Sequence, residues 1–384
     1  WSGTCEGTYT ISVTGDETTT FACASGTWTW TPSPKTVDGN YSYSLQQIDG
    51  AGNTSTSLSL SWDRDATAPN FTATSPYTAI AGGTITETTN HDSLTFSGSC
   101  EGTNSISITG DDTSTIGCSS TNWTWTTPTY STDGARNFLL TQSDPAGNIS
   151  TISIAWTRDT TGPALTIANN SIKSNVDNAT FNGNCEVGLP IAVTGSETSA
   201  TTCTAGLWTW TSSAQNTDAT RSYNFEQINA TSNSTTVIGT WIRETGVPTI
   251  SALSSSSSNP TKNANITINM AATSQNAAVG ISHICVKTDD TVRPIETDNC
   301  WVAVNDPSIG LAVAQNLSLS GEYFHLLGWT PNITLEVYAW VKDEAENISD
   351  LSNAGFGTSG VDNFNRVYDP GEPPKVADVI AANV

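Results

Sequence analysis

Acidic residues recur at two places in this chain, and their oxygens suit a hard divalent cation. One place is a turn, with Asp144-Pro145-Ala146-Gly147-Asn148 as its clearest copy. The other is an acidic residue four positions before a proline, as in Asp159 before Pro163. Calcium takes about six to eight oxygens from carboxylates, carbonyls and amide side chains. We therefore predict candidate calcium ligands where each turn meets its outgoing strand: Asp49, Asp63, Asp65, Asp144, Asp159, Asp343 and Asp369.

The turn itself offers another explanation for these acidic residues. Aspartate and asparagine stabilise turns by accepting hydrogen bonds from nearby backbone amides and by tolerating left-handed conformations. No spacing of the EF-hand kind is present, so a turn role and a calcium role both stay open. One copy serves as a control: Asn229 and Glu244 replace the aspartates, so we expect no ion or a weaker one there.

Residues suited to acid–base or nucleophilic chemistry are scarce. The histidines are His91, His283 and His325, and none recurs in the repeat. The run His91-Asp92-Ser93 contains triad residue types, but triad members meet through the fold rather than as sequence neighbours. Adjacent carboxylates such as Asp111-Asp112 indicate solvated charge, because glycoside hydrolysis needs two carboxylates across a cleft. We expect no enzymatic activity.

The cysteines fall into four pairs, one for each repeat. The first three pairs share one spacing, and the sequence has neither a CxxC motif nor a Cys/His cluster of the zinc-binding type. One pair per repeat at matching positions predicts a local disulfide in each domain and an oxidising compartment. The predicted pairs are Cys5/Cys23, Cys100/Cys118, Cys185/Cys203 and Cys285/Cys300.

The elements that must position these residues repeat about every 90 residues. Each of the first three copies has Gly-x-Cys-Glu, an alternating strand ending in Thr-Gly, the second cysteine and Trp-Thr-Trp. A turn and a strand carrying an aromatic residue and a glutamine follow. Alternating strands separated by short turns predict an all-β fold, a tandem array of β-sandwiches.

The repeat predicts five segments. The second and third are complete copies, and the first lacks the opening strand. The fourth is divergent, with closer cysteines and no Trp-x-Trp, and the fifth is the first strand of a further domain or a donor strand. The segments are residues 1–65, 66–159, 160–244, 245–369 and 370–384.

The Trp-Thr-Trp motif places two indoles on one face of a strand. An exposed pair would stack on sugar rings, whereas a buried pair packs on the disulfide and the sandwich core. We expect at least one Trp of each pair to lie in the core. The pairs are Trp28/Trp30, Trp123/Trp125 and Trp208/Trp210.

The last ten residues resemble the opening strand of a domain, as in residues 163–170. Two explanations stay open. The chain is a segment of a longer array, or its tail fills the missing edge of the first domain in a neighbouring copy. The second is head-to-tail strand donation, which builds open filaments. The expected donor residues are Val376, Val379 and Ile380.

The formal net charge of −23 excludes several partners. Such a charge disfavours nucleic acid and anionic membrane surfaces, and it keeps a soluble molecule dispersed. No apolar run approaches the roughly 18 residues that span a bilayer. We expect neither nucleic acid binding nor membrane insertion of this segment.

The repeated motifs resemble the bacterial Ig-like repeats of large surface adhesins and biofilm-associated proteins. They include Asp-x-Ala-Gly-Asn-x-Ser at Asp144–Ser150 and Gly-x-Trp-x-Trp in the first copy. The resemblance covers about residues 1–250, and the fourth segment matches mainly through residues 338–347. It implies Ig-like sandwiches, secretion, an elongated rod of many modules, and often Ca²⁺ at domain junctions. Many such repeats lack cysteine pairs, so the pairs in this chain are a departure from the family pattern.

These observations predict a non-enzymatic extracellular protein, part of a cell-surface fibre or adhesin stalk. Its partners would be neighbouring copies of the chain or further Ig-like domains. The alternative is a glycan-binding surface module in which Trp301, Trp329 or Trp340 of the fourth segment contacts a host or cell-surface glycan.

Overall fold

The computed structural model describes residues 1–254, 265–288, 292–325, 334–350 and 363–367. Contacts group the chain into two compact units, residues 1–161 and 162–384. The regular elements in the described ranges are β-strands packed as paired sheets, so the predicted all-β sandwich class is confirmed. No helix in those ranges has the length and apolarity needed to cross a bilayer.

Six strands form the first sandwich, residues 1–65. They are β1 (Ser2–Thr4), β2 (Thr10–Gly15), β3 (Thr19–Ala22), β4 (Thr27–Thr29), β5 (Gly39–Gln47) and β6 (Leu58–Arg64). Strands β1 and β4 form one sheet, and the other sheet has the order β3-β2-β5-β6. Within these residues, β1 and β6 therefore each have one edge without a neighbouring strand.

Eight strands form the second sandwich, residues 66–159. They are β7 (Thr72–Ser75), β8 (Thr84–Thr89), β9 (Thr95–Ser99), β10 (Ile106–Gly110), β11 (Thr115–Ile116), β12 (Asn122–Thr126), β13 (Gly134–Ser143) and β14 (Ile149–Arg158). One sheet has the order β12-β9-β7 and the other β11-β10-β13-β14-β8. Strand β7 is antiparallel to β9, and β8 is parallel to β14. These two strands cover the edges that stay open in the first sandwich.

The third sandwich, residues 160–244, repeats this plan in the second unit. Its strands are β15 (Ser171–Ser174), β16 (Thr180–Asn184), β17 (Pro190–Gly195), β18 (Ser199–Thr202), β19 (Leu207–Thr211), β20 (Ala219–Ile228) and β21 (Ser234–Arg243). Strand β15 pairs parallel with β21, as β8 does with β14. The amides of Thr166 and Ala168 donate to the carbonyls of Asn184 and Asn182, which reproduces the contact of β7 with β9.

The fourth sandwich begins after residue 244 in the same unit and has a different strand plan. Its strands are β22 (Thr249–Ser254), β23 (Asn265–Thr273), β24 (Ile281–Thr288), β25 (Trp301–Ala303), β26 (Asn316–His325), β27 (Thr334–Asp343) and β28 (Asn363–Val367). The two sheets have the orders β22-β23-β26 and β25-β24-β27-β28.

Each sandwich contains one disulfide, and the pairing is the one that the sequence predicts. In the first three sandwiches the bridge joins a residue just past a strand of one sheet to a residue one or two positions past a strand of the other sheet. The fourth bridge joins a residue of β24 to the residue just before the neighbouring β25. The first three bridges therefore hold two sheets together, and the fourth ties adjacent strands. The bridges are Cys5–Cys23, Cys100–Cys118, Cys185–Cys203 and Cys285–Cys300.

Alternating burial follows from the alternating sequence. In β13 the side chains of Phe138, Leu140 and Gln142 point inward and are buried. The buried amide of Gln142 accepts from the Glu101 backbone amide and donates to the Glu101 and Asn104 carbonyls. A buried polar group is tolerated only when it is hydrogen-bonded in this way. The glutamine thus fastens the Cys-Glu turn to the centre of the sheet.

Candidate functional site

The repeated turn is a closed hydrogen-bonded unit. In the second sandwich Asp144 Oδ1 accepts from the Asn148 backbone amide at 2.8 Å, and Asp144 Oδ2 accepts from Asn148 Nδ2 at 2.8 Å. The Asp144 amide also donates to the Asn148 carbonyl, and the Gly147 amide donates to the Asp144 carbonyl. Gly147 has φ of 94°, a conformation that glycine adopts without strain. The aspartate therefore shapes the turn and presents its asparagine outward.

That asparagine contacts the segment that connects the first two sandwiches. Asn148 Nδ2 also donates to the backbone carbonyl of Asp65 at 3.2 Å. Two residues further along, the Ser150 hydroxyl donates to the carbonyl of Pro69 at 2.5 Å. The turn of the second sandwich thus holds both ends of the acidic-xxx-Pro segment that leads into it.

The first sandwich holds the same segment from the other side. Asp38 accepts from the Ala66 amide at 3.1 Å and from the Thr67 hydroxyl at 2.7 Å, and it also pairs with Arg64. Asp65 Oδ1 accepts from the Thr67 amide at 3.0 Å, an Asx turn inside the segment. We call this two-sided set of hydrogen bonds around an acidic-xxx-Pro segment a linker clamp.

The contacts that a sandwich makes with the segment that leaves it recur in the second and third sandwiches, with an added ion pair. In the second sandwich Arg158 lies between Asp92 and Asp133, at 2.6 and 2.5 Å. Asp133 also accepts from the Thr160 amide at 3.0 Å. In the third sandwich, the corresponding residues are Arg243, Asp177, Asp218 and Thr245. The arginine thus anchors the aspartate that holds the start of the next segment.

The second unit contains a complete clamp between the third and fourth sandwiches. Asn347 Nδ2 donates to the Glu244 carbonyl at 2.9 Å, as Asn148 does to Asp65. An ion pair is added here, because Lys173 Nζ lies 2.5 Å from Glu344 Oε2, which also accepts from the Gly280 amide at 2.7 Å. This clamp therefore has a lysine–glutamate pair between its two sandwiches in addition to an arginine–aspartate pair like the one in the first unit.

An apolar cluster accompanies the clamp of the second unit. Ile242, Val279 and Ala345 pack together and are buried. The corresponding positions of the first unit include Asp63 in place of Ile242 and Ala146 in place of Ala345, and both are exposed. The side chains beside the clamp of the second unit are therefore buried, and we call it the dry clamp. The corresponding side chains of the first unit are exposed to water, and we call that clamp the wet clamp.

The pKa values of the aspartates in the two turns shift in opposite directions, and burial is the cause of the difference. Hydrogen bonds from Asn148 hold the pKa of the Asp144 carboxyl below its ordinary value. In Asp343, burial raises the pKa to about 6, although hydrogen bonds from Asn347 and Ala345 act in the opposite direction and the Glu244 charge adds to the rise. A fully buried carboxylate loses its hydration, and three hydrogen bonds replace only part of it.

The aspartates predicted as calcium ligands lie in these turns and clamps. Asp49 is bound by the Asn53 amide and side chain, Asp63 Oδ1 accepts from Asn40 at 2.6 Å, and Asp159 Oδ1 accepts from the Thr161 amide at 2.9 Å. Asn229, the control position, accepts from the Asn233 amide in the same manner. The predicted partner of Asp343 is Asp369, which lies outside the described residues.

Within the described ranges, no three acidic, histidine or cysteine side chains gather as metal ligands would. The turn carboxylates of Asp144 and Asp343 accept hydrogen bonds from their own asparagines, as the turn explanation expects. Calcium stays a prediction, and the melting temperature with and without a chelator tests it, because a ligand of the folded state raises its stability.

The cysteines predicted to form bridges differ in how deeply they lie. In the first sandwich Cys23 is buried in the core and its partner Cys5 is half-buried, whereas in the third Cys185 is buried and its partner Cys203 is half-buried. The second sandwich buries both of its cysteines. The conserved spacing thus predicts the bridge, and the strands around it determine which sulfur faces the core. All eight cysteines are bridged, so none is left as a nucleophile or metal ligand.

The tryptophans predicted to contact glycans lie mostly in cores. Both indoles of each Trp-Thr-Trp motif are buried. Trp340 is fully buried, and Trp301 is half-buried and donates its indole N–H to the Ile295 carbonyl. Trp329 lies outside the described residues. The predicted donor residues Val376, Val379 and Ile380 also lie outside them.

The partner of the turn asparagine was not predicted from the sequence. The spacing suggested that each turn meets its own outgoing acidic residue, whereas Asn148 contacts the preceding segment at Asp65. The asparagine at the fifth position of every turn was the available signal, together with the arginine two positions after the strand tryptophan.

Comparison with known proteins supports the resemblance. Residues 3–65 match the family model of the bacterial Ig-like domain. None of the curated proteins matches this chain. Among solved structures, a tetra-tandem repeat in the extending region of a large adhesion protein is 18% identical. It covers 96% of this chain and 95% of its own, with a TM-score of 0.30.

A 1.5-MDa bacterial ice-binding adhesin is 12% identical and covers 74% of this chain and 93% of its own, with a TM-score of 0.29. The titin domains Z1Z2 are also 12% identical, covering 47% and 98%, with a TM-score of 0.20. Superpositions at these scores carry no argument about function.

Proposed function

We propose that this chain is a non-enzymatic structural segment of an extracellular fibre or adhesin stalk, in which Ig-like sandwiches bear load in series. The linker clamp carries the proposal. Asp38 and Asn148 hold the segment between the first two sandwiches from opposite sides, and Asp218 and Asn347 do the same between the third and fourth. Such a clamp limits how far one sandwich bends against the next.

The disulfides support a mechanical and extracellular role. Each of the first three bridges joins two sheets of a sandwich and closes a loop of 18 positions. A bridged loop does not extend under force, and such bridges persist in oxidising compartments outside the cytosol. The match of residues 3–65 to a bacterial Ig-like domain agrees with this placement.

The chemistry of the described carboxylates also favours a structural role. Asp92, which follows His91 in sequence, binds Arg158, and Asp111 accepts from the Asn137 amide. Asp38, Asp133 and Asp144 bind backbone amides of turns and clamps. These groups stabilise the fold, and their geometry does not converge on a cleft where a substrate would react.

Assembly of the fibre is the finer part of the proposal. Residues 374–377, Pro-Lys-Val-Ala, repeat the pattern with which the second and third sandwiches open at residues 69–72 and 163–166, and such a strand suits head-to-tail addition to a neighbouring Ig-like module. Unpaired strand edges are templates for such pairing when nothing covers them. The neighbouring partner would be a further Ig-like module or the same chain.

Force spectroscopy of the chain, held by its two ends, tests the load-bearing role. We expect discrete unfolding events. Reduction of a bridge should add about 60 Å to the length released by that sandwich, since 18 positions become extensible. A Cys100→Ser/Cys118→Ser variant is the matched control and should show the added length in one event without reductant. A chain that extends smoothly at low force would contradict the proposal.

A further inference from the structure

The segment between the first two sandwiches is anchored separately to each of them. Asp38 of the first sandwich accepts from the Ala66 amide and from the Thr67 hydroxyl. Ser150 of the second sandwich is buried, and its hydroxyl donates to the Pro69 carbonyl. The first sandwich therefore holds the segment as far as Thr67, and the second sandwich holds it from Pro69 onward.

One hydrogen bond crosses between these two anchored parts. Asn148 donates to the Asp65 carbonyl at 3.2 Å, and both Asp65 and Ala68 are exposed. Among residues 1–158, all of which the structure describes, no other hydrogen bond, no ion pair and no apolar cluster joins residues 1–67 to residues 69–158. A hydrogen bond that water can replace shifts an equilibrium by only about fivefold, so about one molecule in six should have it open.

The segment between the third and fourth sandwiches is packed where the first one is free. Gly246 takes the place of Thr67, and a Cβ added to it would lie 2.9 Å from the Gln275 Cβ, so this backbone lies directly on the fourth sandwich. Val247 is half-buried where Ala68 is exposed. The middle of this segment therefore has no room to move without losing contacts.

Direct contacts also join the third and fourth sandwiches. Ile242 packs on Val279 and Ala345, and Lys173 Nζ lies 2.5 Å from Glu344 Oε2. Opening this clamp would expose the isoleucine to water and leave a buried carbonyl without its donor. These two losses together should keep the open form below about one molecule in a hundred.

We infer that the wet clamp is a hinge at residues 67–69, whereas the dry clamp keeps the third and fourth sandwiches as one stiff body. The inference rests on the proposed role as a stalk segment and assigns bending to one of its joints. Hinges are a few loop positions that absorb a change in backbone angles, and Ala68 lies between the two anchors without being packed by either. Such a joint lets neighbouring modules turn towards a pull, while the stiff body keeps its length.

Electron–electron double resonance between spin labels on the full chain tests the inference. One label pair spans the wet clamp, Thr29→Cys with Thr124→Cys, and the other spans the dry clamp, Thr209→Cys with Ser318→Cys. All four positions are exposed on strands. Across the wet clamp we expect a second distance population of about one molecule in six, and across the dry clamp a single narrow population.

Substitutions at each clamp should change these populations in a defined way. Asn148→Ala removes the crossing bond and should raise the open population of the wet clamp to about one half. Asn53→Ala is the matched control and should change nothing, because Asn53 Nδ2 donates within its own turn. Ile242→Asp gives the dry clamp the residue type of Asp63 and should add a second population there. Ile242 lies outside the core cluster of the third sandwich, so that core stays intact.

Two results would overturn the inference: distance distributions of equal width across the two clamps, or an Asn148→Ala distribution that matches the parent chain. The labels report bending without load, which separates the hinge from the load-bearing role. Equal distributions would reject the hinge and leave load bearing in place. Smooth extension in force spectroscopy would reject load bearing, while two populations across the wet clamp would still support the hinge.

Discussion

The turn at Asp144–Asn148 and the turn at Asp343–Asn347 have the same hydrogen bonds but differ in how deeply they are buried. Each aspartate accepts from the backbone and side chain of its asparagine, and each asparagine holds the carbonyl of an acidic residue in the preceding segment. Asp144 is 8% exposed and has a lowered pKa, whereas Asp343 is fully buried and has a raised one. The motif determines its own hydrogen bonds, but the packing around it determines its charge.

The largest expected effect separates the dry clamp from the wet one. Ile242→Ala should lower the free energy of local unfolding at the third–fourth clamp by about 2–5 kcal/mol, because Ile242 packs on Val279 and Ala345. Asp63→Ala, at the matching exposed position, should change stability by about 0.5 kcal/mol or less. Hydrogen exchange of the Glu344 amide, bonded to Gly280, and of the Ala66 amide reports each clamp. Equal effects would remove the distinction.

The pH dependence of the two clamps should have opposite signs. The folded pKa of Asp343, about 6, lies above the unfolded value near 4, so its stabilising contribution is complete below about pH 4 and is lost as pH rises through 6. The loss amounts to about 3 kcal/mol. For Asp144 the lowered pKa gives stability that is present above the unfolded value and lost as pH falls through the folded one.

Hydrogen exchange at pH 4.5 and pH 7 measures this contrast. Asp343→Asn should flatten the profile at the Glu344 amide, and Asp144→Asn should leave that profile unchanged. If the wild-type third–fourth clamp were more stable at pH 7 than at pH 4.5, the buried carboxyl would not be titrating as stated.

Removing the asparagine should matter more in the dry clamp. Asn347→Ala should cost about 1–3 kcal/mol because it leaves the buried Glu244 carbonyl without its donor, and Asn148→Ala should cost about 1 kcal/mol or less, because water replaces the lost bond to Asp65. Asn53→Ala is the control, since Asn53 Nδ2 donates within its own turn to Asp49. Local exchange rates around each turn provide the comparison, and a larger loss at Asn148 would reverse the assignment.

The ion pair should contribute least. Lys173→Ala should destabilise the third–fourth clamp by about 1 kcal/mol or less, and the effect should shrink at high salt, because both side chains are partly exposed. Urea titrations at low and high ionic strength measure it. A loss of several kcal/mol that salt does not change would show that the pair acts as a buried contact.

Much of the fold was predictable because the repeat is strict. Gly-x-Cys-Glu, Trp-Thr-Trp and alternating strands recur with the same spacing, so the sandwich class and bridges such as Cys5–Cys23 and Cys185–Cys203 followed from the pattern. The burial of the indoles was predicted only in part from the sequence. At least one of each Trp pair was expected inside, and both are buried in each of the first three sandwiches.

The residue that the turn contacts could not be predicted from the sequence. Asp144 and Asp159 are close along the chain, which suggested that they meet, whereas the asparagine of the turn reaches Asp65, far back in the sequence. A hydrogen bond between residues so distant depends on how one sandwich is seated on the next, and no local pattern encodes it.

The sequence alone therefore determined the sandwich class, the disulfide pairs and the internal bonds of each turn, because these depend on alternation, spacing and short-range geometry. The tertiary structure decided which carbonyl the asparagine of a turn holds and which turn aspartate is fully buried. Those outcomes depend on which surfaces are covered by other strands or by the neighbouring sandwich, and burial sets both the strength of a hydrogen bond and the charge of a carboxyl group.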